Sequence, residues 1–211
     1  MPNSTAASFS ESLAFRRSDE SADERFYDFP RFVTHIDDAA INVVTEIYRE
    51  FFPPGGAILD LMSSYVSHLP DDVNYSRVAG LGMNADELAA NPRLTTRVVQ
   101  NLNAEPILPF ANDEFDAAAI GVSVQYLIEP FTVFGEIGRV LKENAPLVVT
   151  FSNRCFPTKA VRVWNAGDDV EHIELVRYYF AASDRFTAIE IRRHTPRGGD
   201  PLFALIGSAK K

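Results

Sequence analysis

Hydrophobic residues recur with two spacings along the chain, and each spacing predicts a different kind of element. Between residues 32 and 51 they fall every three or four positions, which predicts an amphipathic helix that ends at Pro53-Pro54-Gly55-Gly56. Short unbroken apolar runs predict strands that are buried on both faces. These runs lie at 57–61, 77–81, 97–99, 116–122 and 147–151.

Further helices are predicted between these strands, at 84–90, 130–141 and 168–182. The last begins with Asp168 and Glu171, the spacing of a capping box. Two closing strands, 186–192 and 202–207, are separated by a short turn and are expected to pair antiparallel. The sequence therefore predicts a doubly wound α/β fold with about seven strands, mostly parallel, an N-terminal helix and a C-terminal hairpin.

Composition limits the domain organisation and the partners. The 211 residues carry 46% hydrophobic side chains and a net charge of −9, which fits one globular domain over 25–211 after a flexible tail, 1–24. The negative charge argues against nucleic acid and anionic membrane as partners. The single cysteine, Cys155, excludes an intrachain disulfide and favours a reducing, cytoplasmic location. The four histidines show no metal-ligand spacing, so no metal is expected.

Polar or small residues stand where the predicted strands end. They are Asp60, Gly82, Asn101, Ser123 and Ser152. In an open parallel sheet, ligands bind at the carboxyl ends of the strands, near the point where strand order reverses. These five residues, one from each strand, are therefore expected to line one crevice.

Three segments in the middle of the chain resemble a known family. Residues 108–116 read LPFANDEFD, 124–130 read VQYLIEP and 134–142 read FGEIGRVLK. In this order, after a buried strand that ends in Asp60, they resemble the class I S-adenosylmethionine (SAM)-dependent methyltransferases, and most of all the type-11 group. The resemblance covers 57–151. It implies SAM as cofactor and methyl transfer to an acceptor that we expect to be a small molecule.

The resemblance also implies which residues form the site. The cofactor-binding residues are expected to be Asp60, Met62, Ser63, Ser64, Gly82, Met83, Asn84, Asn101, Leu102 and Ser123. On the acceptor side stand His35, Tyr126, Asn153 and Arg154. No catalytic residue is assigned, because transfer from a sulfonium depends mainly on alignment and on exclusion of water. Phe29, Phe32 and His35, at or just before the start of the N-terminal helix, are expected to form a lid over the cofactor; the alternative is a helix that only packs on the core. His68 is expected on a helix after the first turn.

Two positions depart from the family pattern. The glycine-rich turn after the first strand is replaced, with Met62, Ser64 and Val66 in the three glycine positions. Gly82 stands where the family has an acid that accepts the ribose hydroxyls, and Asn84 is the nearest replacement, followed by Asp86 and Glu87.

These departures leave alternatives to the enzyme. A non-catalytic binding or scaffold protein with a degenerate cofactor site would also lack the glycines and the acid. A nicotinamide-dependent reductase is disfavoured, since it too requires a glycine-rich first turn and does not account for the three segments. Binding of SAM separates the methyltransferase from the scaffold.

Overall fold

A seven-stranded sheet forms the centre of the computed structural model, which describes residues 13–211. In chain order the strands are β1 Ala57–Leu61, β2 Arg77–Gly82, β3 Thr96–Val99, β4 Ala117–Gly121, β5 Pro146–Phe151, β6 Phe186–His194 and β7 Leu202–Ala209. Their spatial order is β3-β2-β1-β4-β5-β7-β6. The first five are parallel, while β7 pairs antiparallel with both β5 and β6. The predicted fold class is confirmed.

Helices cover both faces of this sheet. They are α1 Asp23–Phe26, α2 Asp38–Phe51, α3 Ala85–Ala90, α4 Pro130–Val140, α5 Arg162–Ala166 and α6 Asp169–Ala182. Phe134 of α4 and Phe180 of α6 belong to the hydrophobic cluster on one face, and Val44 and Tyr48 of α2 belong to the cluster on the other. The capping box predicted at Asp168 is present. Within residues 13–211 no helix is long and apolar enough to cross a membrane.

The N-terminal helix is shorter than the hydrophobic pattern predicts. It begins at Asp38 rather than at 32, because the Asp37 carboxylate accepts a hydrogen bond from the Ala40 amide at 2.9 Å and so caps the first turn. Phe32 and His35 therefore lie before the helix, and their predicted position on it is wrong. Phe29 and Phe32 are exposed by 76% and 52%.

The connection from β1 to β2, residues 62–76, contains no helix. The expectation that His68 lies on a helix after the first turn is therefore wrong. Met62 has a φ of 55° and His68 a φ of 51°. The chain therefore turns through left-handed backbone conformations instead of forming a helix. The Ser63 amide donates to the Leu81 carbonyl at 2.8 Å, which ties the turn to β2.

Residues 16–31, which contain α1, cross the carboxyl edge of the sheet; we name this segment the N-terminal strap. Part of it falls in the predicted tail 1–24, of which residues 1–12 lie outside the described residues. The remainder is not free, because Arg17 pairs with Val161 in an antiparallel bridge and the Asp19 amide donates to the Thr158 carbonyl at 2.9 Å. The prediction of a flexible tail therefore fails for residues 13–24.

Candidate active site

A cavity of about 310 Å³ opens at the carboxyl ends of the parallel strands, beneath the strap. All ten residues expected to bind the cofactor line it: Asp60, Met62, Ser63, Ser64, Gly82, Met83, Asn84, Asn101, Leu102 and Ser123. Of the residues expected on the acceptor side, His35, Tyr126 and Arg154 line it and Asn153 does not. The sheet topology thus brings together residues that are far apart in the sequence.

Asp60 ends β1 with a buried carboxylate that is bound by its own loop. Its Oδ2 accepts hydrogen bonds from the hydroxyls of Ser63 and Ser67, both at 2.6 Å. Asn91 holds that loop in turn, donating to the Ser67 hydroxyl at 2.8 Å and to the Ser64 carbonyl at 2.9 Å. Burial raises the pKa of Asp60 to about 6, and the two hydroxyls oppose this rise.

Gly82 is required by the shape of the rewritten turn. A Cβ at this position would lie 2.2 Å from the Ser63 carbonyl oxygen, which no side chain tolerates. The loop backbone thus occupies the space where an acidic side chain at the end of β2 would begin. The conformation of the first turn therefore excludes an acidic side chain at position 82.

Asn84, the expected replacement for that acid, has its amide group already engaged. Its Oδ1 accepts from the amides of Asp86 and Glu87 at 3.0 Å and caps α3, while its Nδ2 donates to the Tyr27 carbonyl of the strap at 2.9 Å. Of the two acids that follow, only Glu87 lines the cavity. One of its oxygens accepts the Arg31 amide at 2.7 Å.

The strap also binds the asparagines after β3. Asn101 donates to the Glu24 carboxylate at 2.8 Å, and Asn103 donates to Asp23 at 2.9 Å. The side-chain oxygen of Asn101 accepts a hydrogen bond from the Asn103 backbone amide at 2.9 Å, so it stabilises the loop. The loop after β3, which contains the expected cofactor-binding residue Asn101, is therefore bridged to α1 of the strap.

A buried ionic cluster, which no sequence pattern predicts, fixes the strap beside the cavity. Asp23 lies 2.6 Å from Arg17 and 3.3 Å from Lys159, measured between carboxylate oxygen and side-chain nitrogen. Lys159 is 1% exposed and also donates to the Ser21 carbonyl at 2.7 Å. Buried charges are stable only when paired in this way, so the three side chains act as one anchor.

Two imidazoles, those of His35 and His68, line the cavity. Burial lowers the pKa of both imidazoles. Arg31 lowers the pKa of His35 further, and His35 lowers that of His68 further. Tyr126 accepts from the Phe156 amide at 2.9 Å, and burial raises its pKa to about 12. Burial also raises the pKa of Cys155, so its thiol is a weak candidate for a nucleophile.

Unpartnered polar atoms show where a ligand could bind. The Ser123 hydroxyl, at the end of β4, is buried, lines the cavity and makes no hydrogen bond in the described chain. A buried hydroxyl without a partner is costly, so a ligand that binds it gains affinity. In the same described range, 13–211, no group of His, Cys, Asp or Glu is arranged to hold a metal ion.

Comparison with known proteins gives one family match. Residues 62–149 match the family model described as "Methyltransferase domain". No curated protein sequence matches the chain. The matched segment runs from the first turn into β5 and so contains most of the cavity.

Residues 62–149 are thus similar to a methyltransferase domain, and the solved structures below share the fold of this chain.

Solved structures share this fold at low sequence identity. A chain of the Haloferax volcanii complex with the Trm112 methyltransferase activator is 14% identical with a TM-score of 0.62, over 82% of this chain and 92% of that one. Phosphoethanolamine N-methyltransferase 2 of Haemonchus contortus, in complex with SAM, is 14% identical with a TM-score of 0.60, over 81% and 53%. The [4+2]-cyclase SpnF is 14% identical with a TM-score of 0.64, over 99% and 97%.

Proposed function

We propose that this protein transfers the methyl group of SAM to a small-molecule acceptor that enters the cavity beneath the strap. One observation carries the proposal: the ten residues expected to bind the cofactor converge on a single cavity in a chain that is similar to a methyltransferase domain. A cavity of about 310 Å³ is at the lower end of the range for small-ligand sites.

The residues present fit the cofactor if a different side chain provides the carboxylate that is absent at Gly82. The unpartnered Ser123 hydroxyl offers a polar contact at the end of β4. Since Gly82 cannot carry an acid and Asn84 is engaged, we propose Glu87 as the carboxylate that accepts ligand hydroxyls, through the oxygen not used by Arg31. When bound, SAM supplies an activated methyl group on a sulfonium, and the chain aligns the acceptor with it and excludes water.

The acceptor side of the cavity is proposed to lie at His35, Tyr126 and Arg154. Arg154 is largely exposed, with one guanidinium nitrogen 3.6 Å from the Asp200 carboxylate, so it can turn toward an acidic group of a substrate. Asn153 lies away from the cavity and is not part of the proposal.

Calorimetric titration with SAM and S-adenosylhomocysteine tests the site. Ser123→Ala should weaken binding about 5- to 10-fold, because it removes one neutral hydrogen bond of about 1 kcal/mol. Ser152→Ala is the matched control: its hydroxyl is also buried and unpartnered in the described chain but does not line the cavity. Equal affinities of the two variants would remove Ser123 from the site.

Absence of binding up to millimolar concentration would favour the non-catalytic scaffold instead. The family match currently favours the enzyme. The cytoplasmic location and the exclusion of nucleic acid and membrane partners stay predictions, which rest on the single cysteine and the net charge of −9.

A further inference from the structure

His68 occupies an unusual backbone position within the site. Its φ of 51° lies in the left-handed region, which costs a residue with a Cβ about 1 kcal/mol. Its carbonyl accepts a hydrogen bond from the Thr45 hydroxyl of α2 at 2.9 Å, which fixes the loop at this residue. Strained positions of this kind concentrate at functional sites, where the surrounding structure holds them.

The imidazole of His68 is available to a ligand. It lines the cavity, and neither it nor the His35 imidazole has a hydrogen-bond partner in residues 13–211 of the structure. His35 packs edge-on against Phe156, with ring centroids 5.4 Å apart. His35 is exposed at the rim, whereas His68 is the more enclosed of the two.

Burial is the main reason that the pKa values of both imidazoles are lowered, which favours their neutral forms. Burial is the largest cause of the low pKa of His68, and the neighbouring His35 adds to it. For His35, burial and Arg31 lower the pKa while the Glu87 carboxylate raises it. Arg154, from the loop after β5, lines the same cavity. Two neutral imidazoles at pH 7 can each accept a proton.

Other titratable groups of the cavity are poorly placed for that task. Asp60 receives two hydroxyl hydrogen bonds on one oxygen, and Glu87 accepts the Arg31 amide. Cys155 and Tyr126 have raised pKa values and stay protonated. His68 is therefore the enclosed side chain that combines a neutral base with freedom from protein partners.

We propose that His68 is the general base of the reaction and that the acceptor is a hydroxyl or ammonium compound, an inference that rests on the proposed methyl transfer. Such acceptors must lose a proton to become nucleophiles, whereas a carboxylate needs no base. The acceptor loses one proton to an imidazole nitrogen and gains one methyl group; the sulfonium leaves as a neutral thioether. The imidazolium then returns its proton to water.

The experiment compares acceptors and His68 variants by release of S-adenosylhomocysteine between pH 6 and 9. The probes are catechol, 2-phenylethylamine and benzoate. We expect turnover of catechol or the amine, and we expect His68→Gly and His68→Asn to lower kcat about 100-fold or more. Both variants accept a left-handed backbone, so the loop keeps its shape. Calorimetry should show unchanged affinity for S-adenosylhomocysteine.

Rescue separates a base from a structural residue. Added imidazole should restore turnover to His68→Gly and shift the acid limb of the pH profile toward the pKa of free imidazole. His194→Asn, on β6 and outside the cavity, is the matched control and should change neither rate nor profile. An unchanged kcat in His68→Gly, a lack of rescue, preference for benzoate, or turnover of none of the probes by a wild-type protein that binds SAM would overturn the inference. Failure of the wild-type protein to bind SAM would instead overturn the proposed function.

Discussion

The two ends of the cavity are built in opposite ways. At the strap end, the side-chain amides of Asn84, Asn101 and Asn103 all bind the strap, and a buried ionic cluster anchors it. At the first-turn end, Asp60 is bound only by its own loop, and the imidazole of His68 has no partner in the described residues. The polar side chains of the strap end thus bind other parts of the protein, whereas the first-turn end has an imidazole that a ligand can bind.

This difference assigns different tasks to the two ends. The strap side chains Arg17, Tyr27 and Arg31 line the cavity, so we infer that the strap end limits access to the strand ends. At the first-turn end, the loop holds a buried Asp60 carboxylate and a His68 backbone in the left-handed region, and such buried or strained groups concentrate at functional sites. Substitutions that weaken each end separately test this contrast.

Breaking the ionic cluster should have the largest effect. Lys159→Met leaves Asp23 buried with Arg17 alone, and removal of one partner from a buried charge cluster costs about 3–5 kcal/mol of unfolding free energy. Denaturant unfolding measures the loss. Lys142→Met is the control, because its pair with Asp116 is partly exposed and is worth at most about 1 kcal/mol. Equal losses would show that the strap is not anchored by this cluster.

At the first-turn end, the contribution of Asp60 to stability should depend on pH. The folded-state pKa of Asp60, about 6, lies above its ordinary value of 3.8, so the folded protein holds the proton more tightly. Stability from this group is present below pH 4 and falls as pH rises to 6, by about 3 kcal/mol. Asp60→Asn should therefore gain stability relative to wild type as pH rises from 4 to 7.

Asp72→Asn is expected to change the pH dependence of stability in the opposite direction. The hydrogen bond from Arg49 lowers the pKa of Asp72, so its contribution is present at neutral pH and is lost on acidification. Unfolding measured from pH 3 to 8 should give difference curves of opposite slope for the two variants. A flat difference curve for Asp60→Asn would mean that Asp60 ionises normally.

Much of the sheet could be predicted from sequence because burial on both faces leaves an unbroken apolar run, as in 57–61 and 147–151. The cavity lining followed, since parallel strands place their ends at one edge. The strap could not be predicted, because Lys159 meets Asp23 only in the folded chain and residues 16–31 have no periodicity. The loop that replaces the predicted helix after β1 could not be predicted either. Hydrogen bonds of Asp60 and Asn91 hold this loop, and local propensity does not determine it.

The dependence of Gly82 on the rewritten turn can be tested by adding one methyl group. Gly82→Ala places a Cβ 2.2 Å from the Ser63 carbonyl and should cost about 1–3 kcal/mol as the turn shifts. Gly135→Ala, in helix α4 with no atom within 4 Å of the new Cβ, should stabilise by about 0.5–1 kcal/mol. Thermal unfolding of the two variants should move in opposite directions. A neutral Gly82→Ala would show that the first turn and the end of β2 vary independently.

The smallest expected effect isolates a single contact of the strap. Asn84→Ser keeps a hydroxyl that caps α3 but is too short to reach the Tyr27 carbonyl, whereas Asn84→Ala loses cap and contact together. The cap is worth about 1 kcal/mol, so the serine variant should unfold close to wild type. Hydrogen exchange should nevertheless quicken in residues 23–28 and stay unchanged in α2. If exchange quickened only in the alanine variant, the Tyr27 contact would not hold the strap, and the contrast between the two ends would rest on the ionic cluster alone.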